Sequence, residues 1–169
     1  MICAEMKSMI QLLHFYISPA HNFYGHHDQP PGEHPIYERE SLECVAGRGI
    51  AGDRFFEYRA GYKGQITFFA METHEWMCSE FGSDLPPSVY RRNVVTRGVN
   101  LNDLVGREFE IQGITFEGTE EAKPCYWMDT AFGPGAENAL QGRGGLRARI
   151  LNDGELRLSG VREEELAFA

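Results

Sequence analysis

Residues 107–120 read REFEIQGITFEGTE, two short runs joined by Gln112-Gly113. Phe109 and Ile111 alternate with polar residues on one side of that link, and Ile114 and Phe116 alternate on the other, the period-two pattern of strands with one wet face. A two-residue link ending in glycine supplies the left-handed backbone that a tight hairpin needs. The segment therefore predicts an antiparallel hairpin with its apolar side on a core.

The run continues into EAKPC, residues 121–125. Proline cannot donate to a ladder and restricts the residue before it, so Pro124 predicts that the strand has ended and that Cys125 stands at its rim. A thiol acts as nucleophile or metal ligand only as thiolate, and a nearby cation such as Lys123 favours that form. The alternative is a small buried hydrophobe, the commoner fate of a free cysteine.

Further strand signals flank this hairpin. Ile10–Ile17 is a continuous apolar run, Glu40–Val45 is a shorter candidate, and GQITFF and RRNVVT are rich in residues that fit a pleated surface. LRARILNDGELRLSG reads as a second hairpin turning at Asn152, Asp153 and Gly154, with Leu146, Ala148 and Ile150 facing Leu156 and Leu158. Helical signals are few. Ala70–Phe81 carries apolar residues near a 3.6 period with Gly82 as a stop, and Asn100 caps a single turn ending at Gly106. Trp76, Met77 and Phe81 fall at helical spacing and read as core. Many short strands and few helices predict a mainly β fold, a closed or partly closed barrel with a few short helices.

The chain has 169 residues and a formal charge of −9, which suits one globular domain and argues against nucleic acid as a general partner. No apolar stretch is long enough to span a bilayer. The N-terminal MICAEMKSMIQLLHFYIS lacks a strong basic start and a clean cleavage site, so it reads as mature and cytoplasmic. Cys3, Cys44, Cys78 and Cys125 include no CxxC pair, which points to reduced thiols rather than a disulfide framework or zinc knuckle.

Taken in order, GRGIAGDRFF, KGQITFFAME, RRNVVTRGVNLNDLVGREFEIQGITFEGTEEAKPC and GRGGLRARILNDGELRLSG resemble the MOSC domain, named from the C-terminal domain of molybdenum cofactor sulfurases. The resemblance spans roughly residues 40–160 within a single domain of residues 1–169. It implies a β-barrel-like fold and a cleft for the molybdenum cofactor or a related sulfur-bearing group. It also implies a family cysteine, matching Cys125, that either ligates molybdenum or carries a persulfide. Reductases of N-hydroxylated compounds belong to the first group. The chain resembles the stand-alone type, with neither a pyridoxal-phosphate sulfurase domain nor a redox domain of its own. A separate redox or sulfurase protein is then the implied partner.

Several residue types fit that ligand. Molybdopterin carries a phosphate and dithiolene sulfurs, and a soft thiolate suits its metal. Arg54, Arg91, Arg92 and Arg97 offer planar donors for a phosphate, with Asn93 as a donor to a pterin and Lys123 beside the thiol. Asp53 either orients an arginine or caps a turn. The glycines of GRGI and GRGG form either an anion nest or tight barrel corners. Tyr126 and Trp127 either stack on a pterin or pack beside the strand end.

SPAHNFYGHHDQPPGEH holds His21, His26, His27, Asp28 and His34 in no closed zinc spacing, and reads as a solvated loop or a lid. Three outcomes stay open: a molybdenum-dependent reductase, a persulfide carrier, and a non-catalytic cofactor delivery module. A cysteine hydrolase would need a histidine base, and none stands in a motif that points at Cys125.

Overall fold

The computed structural model describes residues 8–26, 28–160 and 162–168; Cys3 and His27 lie outside them. Among the described residues, eleven strands and three α-helices occur in the order β1 (Ser8–Ile17), β2 (Tyr37–Arg39), β3 (Ser41–Val45), β4 (Gly49–Ile50), β5 (Ile66–Ala70), α1 (Met71–Phe81), β6 (Val94–Arg97), β7 (Glu108–Ile111), β8 (Ile114–Glu121), α2 (Trp127–Phe132), α3 (Ala136–Ala139), β9 (Leu146–Ile150), β10 (Gly154–Arg157) and β11 (Glu164–Phe168).

The hairpin of residues 107–120 forms as its pattern predicts. Phe109 faces Phe116 and Ile111 faces Ile114, across a turn in which Gln112 and Gly113 both take positive φ, 52° and 80°. All four apolar side chains are buried. Seven strands close a barrel in the order β1-β11-β7-β8-β9-β5-β6 and back to β1. Strand β1 completes the ring because it is long enough to serve two neighbours: Ser8–Ile10 pair with β11, and Gln11–Phe15 pair with β6. Its last residues also hold β2. Only β5 and β6 run parallel, and α1 is the crossover that such a pair requires.

Inside the barrel, Phe68, Phe109 and Phe116 meet edge-on or tilted with ring centroids 5.5 to 5.9 Å apart. Strand β5 is buried on both faces, which explains its unbroken apolar run: Ile66 and Phe68 point into the barrel, while Phe69 packs outside with Met77, Tyr90, Met128 and Leu140. Trp76 and Phe81 pack against this outer cluster, as their helical spacing predicts. Helix α1 is the longest helix and stops at Gly82 in the left-handed conformation, φ 58°. Asn100 caps a short 3-10 turn, Leu101–Leu104, by accepting from the Asn102 amide.

One expectation is corrected. β9 and β10 form as strands but do not pair with each other; β9 lies between β8 and β5, and β10 joins β3 and β4 in a separate sheet. The turn residues explain the divergence. Asn152 bonds the Thr115 amide and the Gly113 carbonyl, at 2.6 and 3.0 Å, and Asp153 accepts from Ala46 N at 2.8 Å. These bonds tie the turn to two distant segments and steer β10 toward β3. Leu146, Ala148, Ile150 and Leu156 nevertheless share one core.

Among the described residues no helix is long and apolar enough to cross a membrane.

Candidate functional site

The thiol is displayed by the way β8 ends. Ala122 N still bonds Gly145 O at 2.8 Å, then Lys123 and Pro124 leave the ladder, and the Cys125 carbonyl accepts from Met128 N at 3.0 Å as the chain enters α2. Cys125 is exposed, whereas Cys44 is buried and Cys78 half-buried; all three are free thiols. Burial pushes the Cys44 thiol up to about 12 and also raises that of Cys78.

Cys125 lies on a cleft of about 180 Å³. Its lining includes five fixed cations, Arg54, Arg91, Arg92, Lys123 and Arg147, and, among the described residues, no carboxylate. Arg54 is paired with Asp53 at 3.3 Å and Arg147 with Glu120 at 3.0 Å. Among the described residues, no carboxylate lies within ion-pair distance of Arg91, Arg92 or Lys123. Burial lowers Arg91 and Arg92 to about 10, with Arg54 and Arg147 respectively adding repulsion. Both remain charged at neutral pH, so the cleft holds uncompensated positive charge and attracts an anion. A thiolate at Cys125 would interact favourably with Arg92.

Asp53 does both things open to it. It accepts from Arg54 Nη1 and also from the amides of Ser18 and Phe55, at 3.1 and 3.2 Å, fixing the start of the loop after β1. That loop folds over the cleft. His21, Asn22, Phe23 and Tyr24 line it, and Phe23 stacks on Trp127 at 4.3 Å. Trp127 is thus held by the loop and by its bond to Val89 O, while Tyr126 stays exposed. Burial first, then the Arg54 charge, keeps His21 below its ordinary range and hence neutral at pH 7. No group of three or more His, Cys, Asp or Glu side chains placed to hold a metal ion occurs among the described residues. None of the described histidines hydrogen-bonds Cys125; His74 sits instead beside Cys78 and Tyr90.

Two expected site residues do not join the cleft. Asn93 is buried beneath it: its Oδ1 accepts from Thr67 N and Oγ1, both at 3.0 Å, and its Nδ2 donates to Tyr16 O at 3.1 Å. A side-chain amide so engaged stitches β1 to β5 and has little left for a ligand. Arg97 leaves the cleft because β6 carries it outward to a bidentate pair with Glu75 on α1. Arg54, Arg91, Arg92, Lys123 and Cys125 are brought together. Arg147, Phe23, Tyr62 and Tyr90 line the cleft without having been singled out. Arg147 carried one usable signal, its place two residues after the GRGG run.

Within the GRGG run, Gly144 and Gly145 serve close packing. A Cβ on Gly144 would lie 2.3 Å from Ala122 O, and one on Gly145 would lie 2.2 Å from Phe68 O. They let β9 enter directly beneath the segment that carries Cys125.

Among solved structures, the YUAD protein of Bacillus subtilis is similar over 94% of each chain at 17% identity and a TM-score of 0.69. YiiM from Geobacillus stearothermophilus is similar over 95% of this chain and 75% of its own, at 12% identity and a TM-score of 0.67. YiiM from Escherichia coli is similar over 97% and 70%, at 14% identity and a TM-score of 0.63. At these identities the likeness shows the fold. No curated protein matches the chain in sequence. The family model of the MOSC domain matches residues 56–162, well over half the chain and including Cys125 and four of the five cleft cations, so the protein is a member of the MOSC domain family.

Proposed function

We propose that the chain binds the molybdenum cofactor in this cleft, with Cys125 as a soft ligand, and reduces N-hydroxylated substrates with electrons from a separate redox protein. The supporting observation is the exposed thiol at the edge of a cleft lined by five cations and, among the described residues, no carboxylate. That donor set suits a group combining a soft metal with phosphate. When bound, the cofactor supplies the redox chemistry. The chain's own residues bind and orient it: Arg91 and Lys123 offer charge to a phosphate, and Cys125 offers sulfur. The cleft is smaller than ligand sites of about 300 Å³ and above, so the loop carrying Phe23 acts as a lid that moves off Trp127 on loading. Free thiols fit a reducing compartment, the cytoplasm.

Anaerobic purification from a cofactor-competent host, followed by metal analysis and pterin fluorescence, tests the reading. Stoichiometric molybdenum that disappears in Cys125→Ser is the expected result. Persulfide on Cys125 without molybdenum would make the chain a sulfur carrier instead, and cofactor bound by the unaltered chain with no reductase activity would make it a delivery module.

A further inference from the structure

The two adjacent arginines of the cleft use their donors differently. Arg92 donates from Nε to Gly144 O at 3.1 Å, from Nη1 to Tyr90 O at 3.3 Å, and from Nη2 to the carbonyls of Ala122 and Lys123 at 2.8 and 3.3 Å. A guanidinium has five N–H donors, so little remains for a ligand. Two of its four acceptors are the residues that lead into Pro124 and Cys125. A third, Gly144, lies against the same segment from below, where a Cβ would fall 2.9 Å from Pro124 Cδ. The Gly144 amide in turn donates to Glu121 at 3.2 Å. Arg91 is built the other way. It donates through Nη2 alone, to Ser18 Oγ at 2.9 Å and Ala20 O at 3.0 Å, and among the described residues its Nε and Nη1 take no protein acceptor.

We propose that Arg92 is a positioning residue for Cys125, locking the Ala122–Pro124 segment through main-chain carbonyls, whereas Arg91 is the arginine that meets the anionic ligand. This rests on the reading of Cys125 as the reactive group and divides the labour among the cations around it. It follows that the charge at position 92 is not enough. Lysine keeps the charge but, as a compact ammonium, cannot span four carbonyls in three segments.

The experiment uses the full chain carrying Cys3→Ala and Cys78→Ala, with two readouts at Cys125. A nitroxide attached to the thiol reports how firmly it is held. The ratio of alkylation rates with iodoacetate and iodoacetamide reports anion capture, since the two reagents differ in charge. Arg92→Lys is expected to mobilise the nitroxide while holding the ratio within about twofold. Arg91→Gln is expected to lower the ratio about fivefold, the order that one cation in contact with a bound anion is worth in a water-like medium, and to leave the nitroxide restrained. Gly144→Ala presses on the same segment by a different route and should reproduce the Arg92→Lys spectrum, which keeps the test open if Arg92→Lys does not fold. A restrained nitroxide in both Arg92→Lys and Gly144→Ala, or a ratio that falls as far in Arg92→Lys as in Arg91→Gln, would overturn the division. Neither readout involves cofactor, so a protein that never loads molybdenum overturns the proposed function and leaves this result intact.

Discussion

Three described thiols share one chain, and their surroundings set them apart. Cys44 is buried opposite Ile50, Cys78 lies on α1 beside His74, and only Cys125 is exposed. Since thiolate is the reacting form and burial raises the other two thiols, brief alkylation at neutral pH should mark Cys125 first by at least about tenfold. Peptide mapping checks this, and preferential labelling of Cys78 would contradict it. His74 gives a second prediction. Burial lowers its pKa below the ordinary 6.5, so the unfolded chain binds a proton that the folded imidazole, bonded to Tyr90 Oη at 3.0 Å, resists. Its contribution to stability is present above pH 6.5 and is lost as pH falls toward the folded value. Glu75 and Glu120, lowered from 4.5, act only at more acid pH. Urea midpoints should therefore fall between pH 7.5 and 5.5, and His74→Phe should reduce that fall while His21, shifted the same way, retains part of it. An unchanged pH slope in His74→Phe would remove His74 from this account.

At the scale of elements, the turn at Gln112-Gly113 and the bulge in β8 use glycine for different reasons. Gly113 has φ +80° and open space around it, so Gly113→Ala meets only backbone strain and should cost about 1–2 kcal/mol. Gly118 stands where the β8–β9 register shifts, and a Cβ there would lie 2.0 Å from Leu104 O. Backbone must move, and Gly118→Ala should cost about 3 kcal/mol or more. Denaturant midpoints rank the two; equal losses would refute the distinction. The same contrast explains what was legible in the sequence. The 107–120 hairpin is specified locally, by alternation and turn residues that meet each other. The divergence of β9 from β10 is specified by Asn152 and Asp153 reaching Thr115 and Ala46, partners far along the chain that no window of sequence contains. The site divides likewise. Pro124 announces the display of Cys125 from within four residues, whereas Phe23 and Tyr62 arrive through the fold. The place of Asn93 is not legible locally, because its side chain satisfies buried groups on β1 and β5.

For the whole molecule, closure of the ring depends on β11, the last strand. It pairs with β1 through Ser8↔Leu166 and with β7 through Phe168↔Phe109, and Leu166 is buried in the barrel core. An open barrel would present two unpaired edges, those of β1 and β7, beside an uncovered part of that core, which is the arrangement that invites edge-to-edge association. The cleft lies across the ring, on β5, β9 and the end of β8, where β11 makes no pairing. A chain ending at residue 160 should therefore associate in a concentration-dependent way, by light scattering on a sizing column, while its far-ultraviolet spectrum stays strand-dominated. Leu166→Ala separates closure from packing: it keeps the backbone ladder, loses about 2–5 kcal/mol as a core truncation, and should keep the size of the unaltered chain. A truncated chain that shows no added association relative to the full chain and unfolds cooperatively would show that β1 and β7 protect their own edges. The stability of the barrel would then rest on its core alone rather than on its closure.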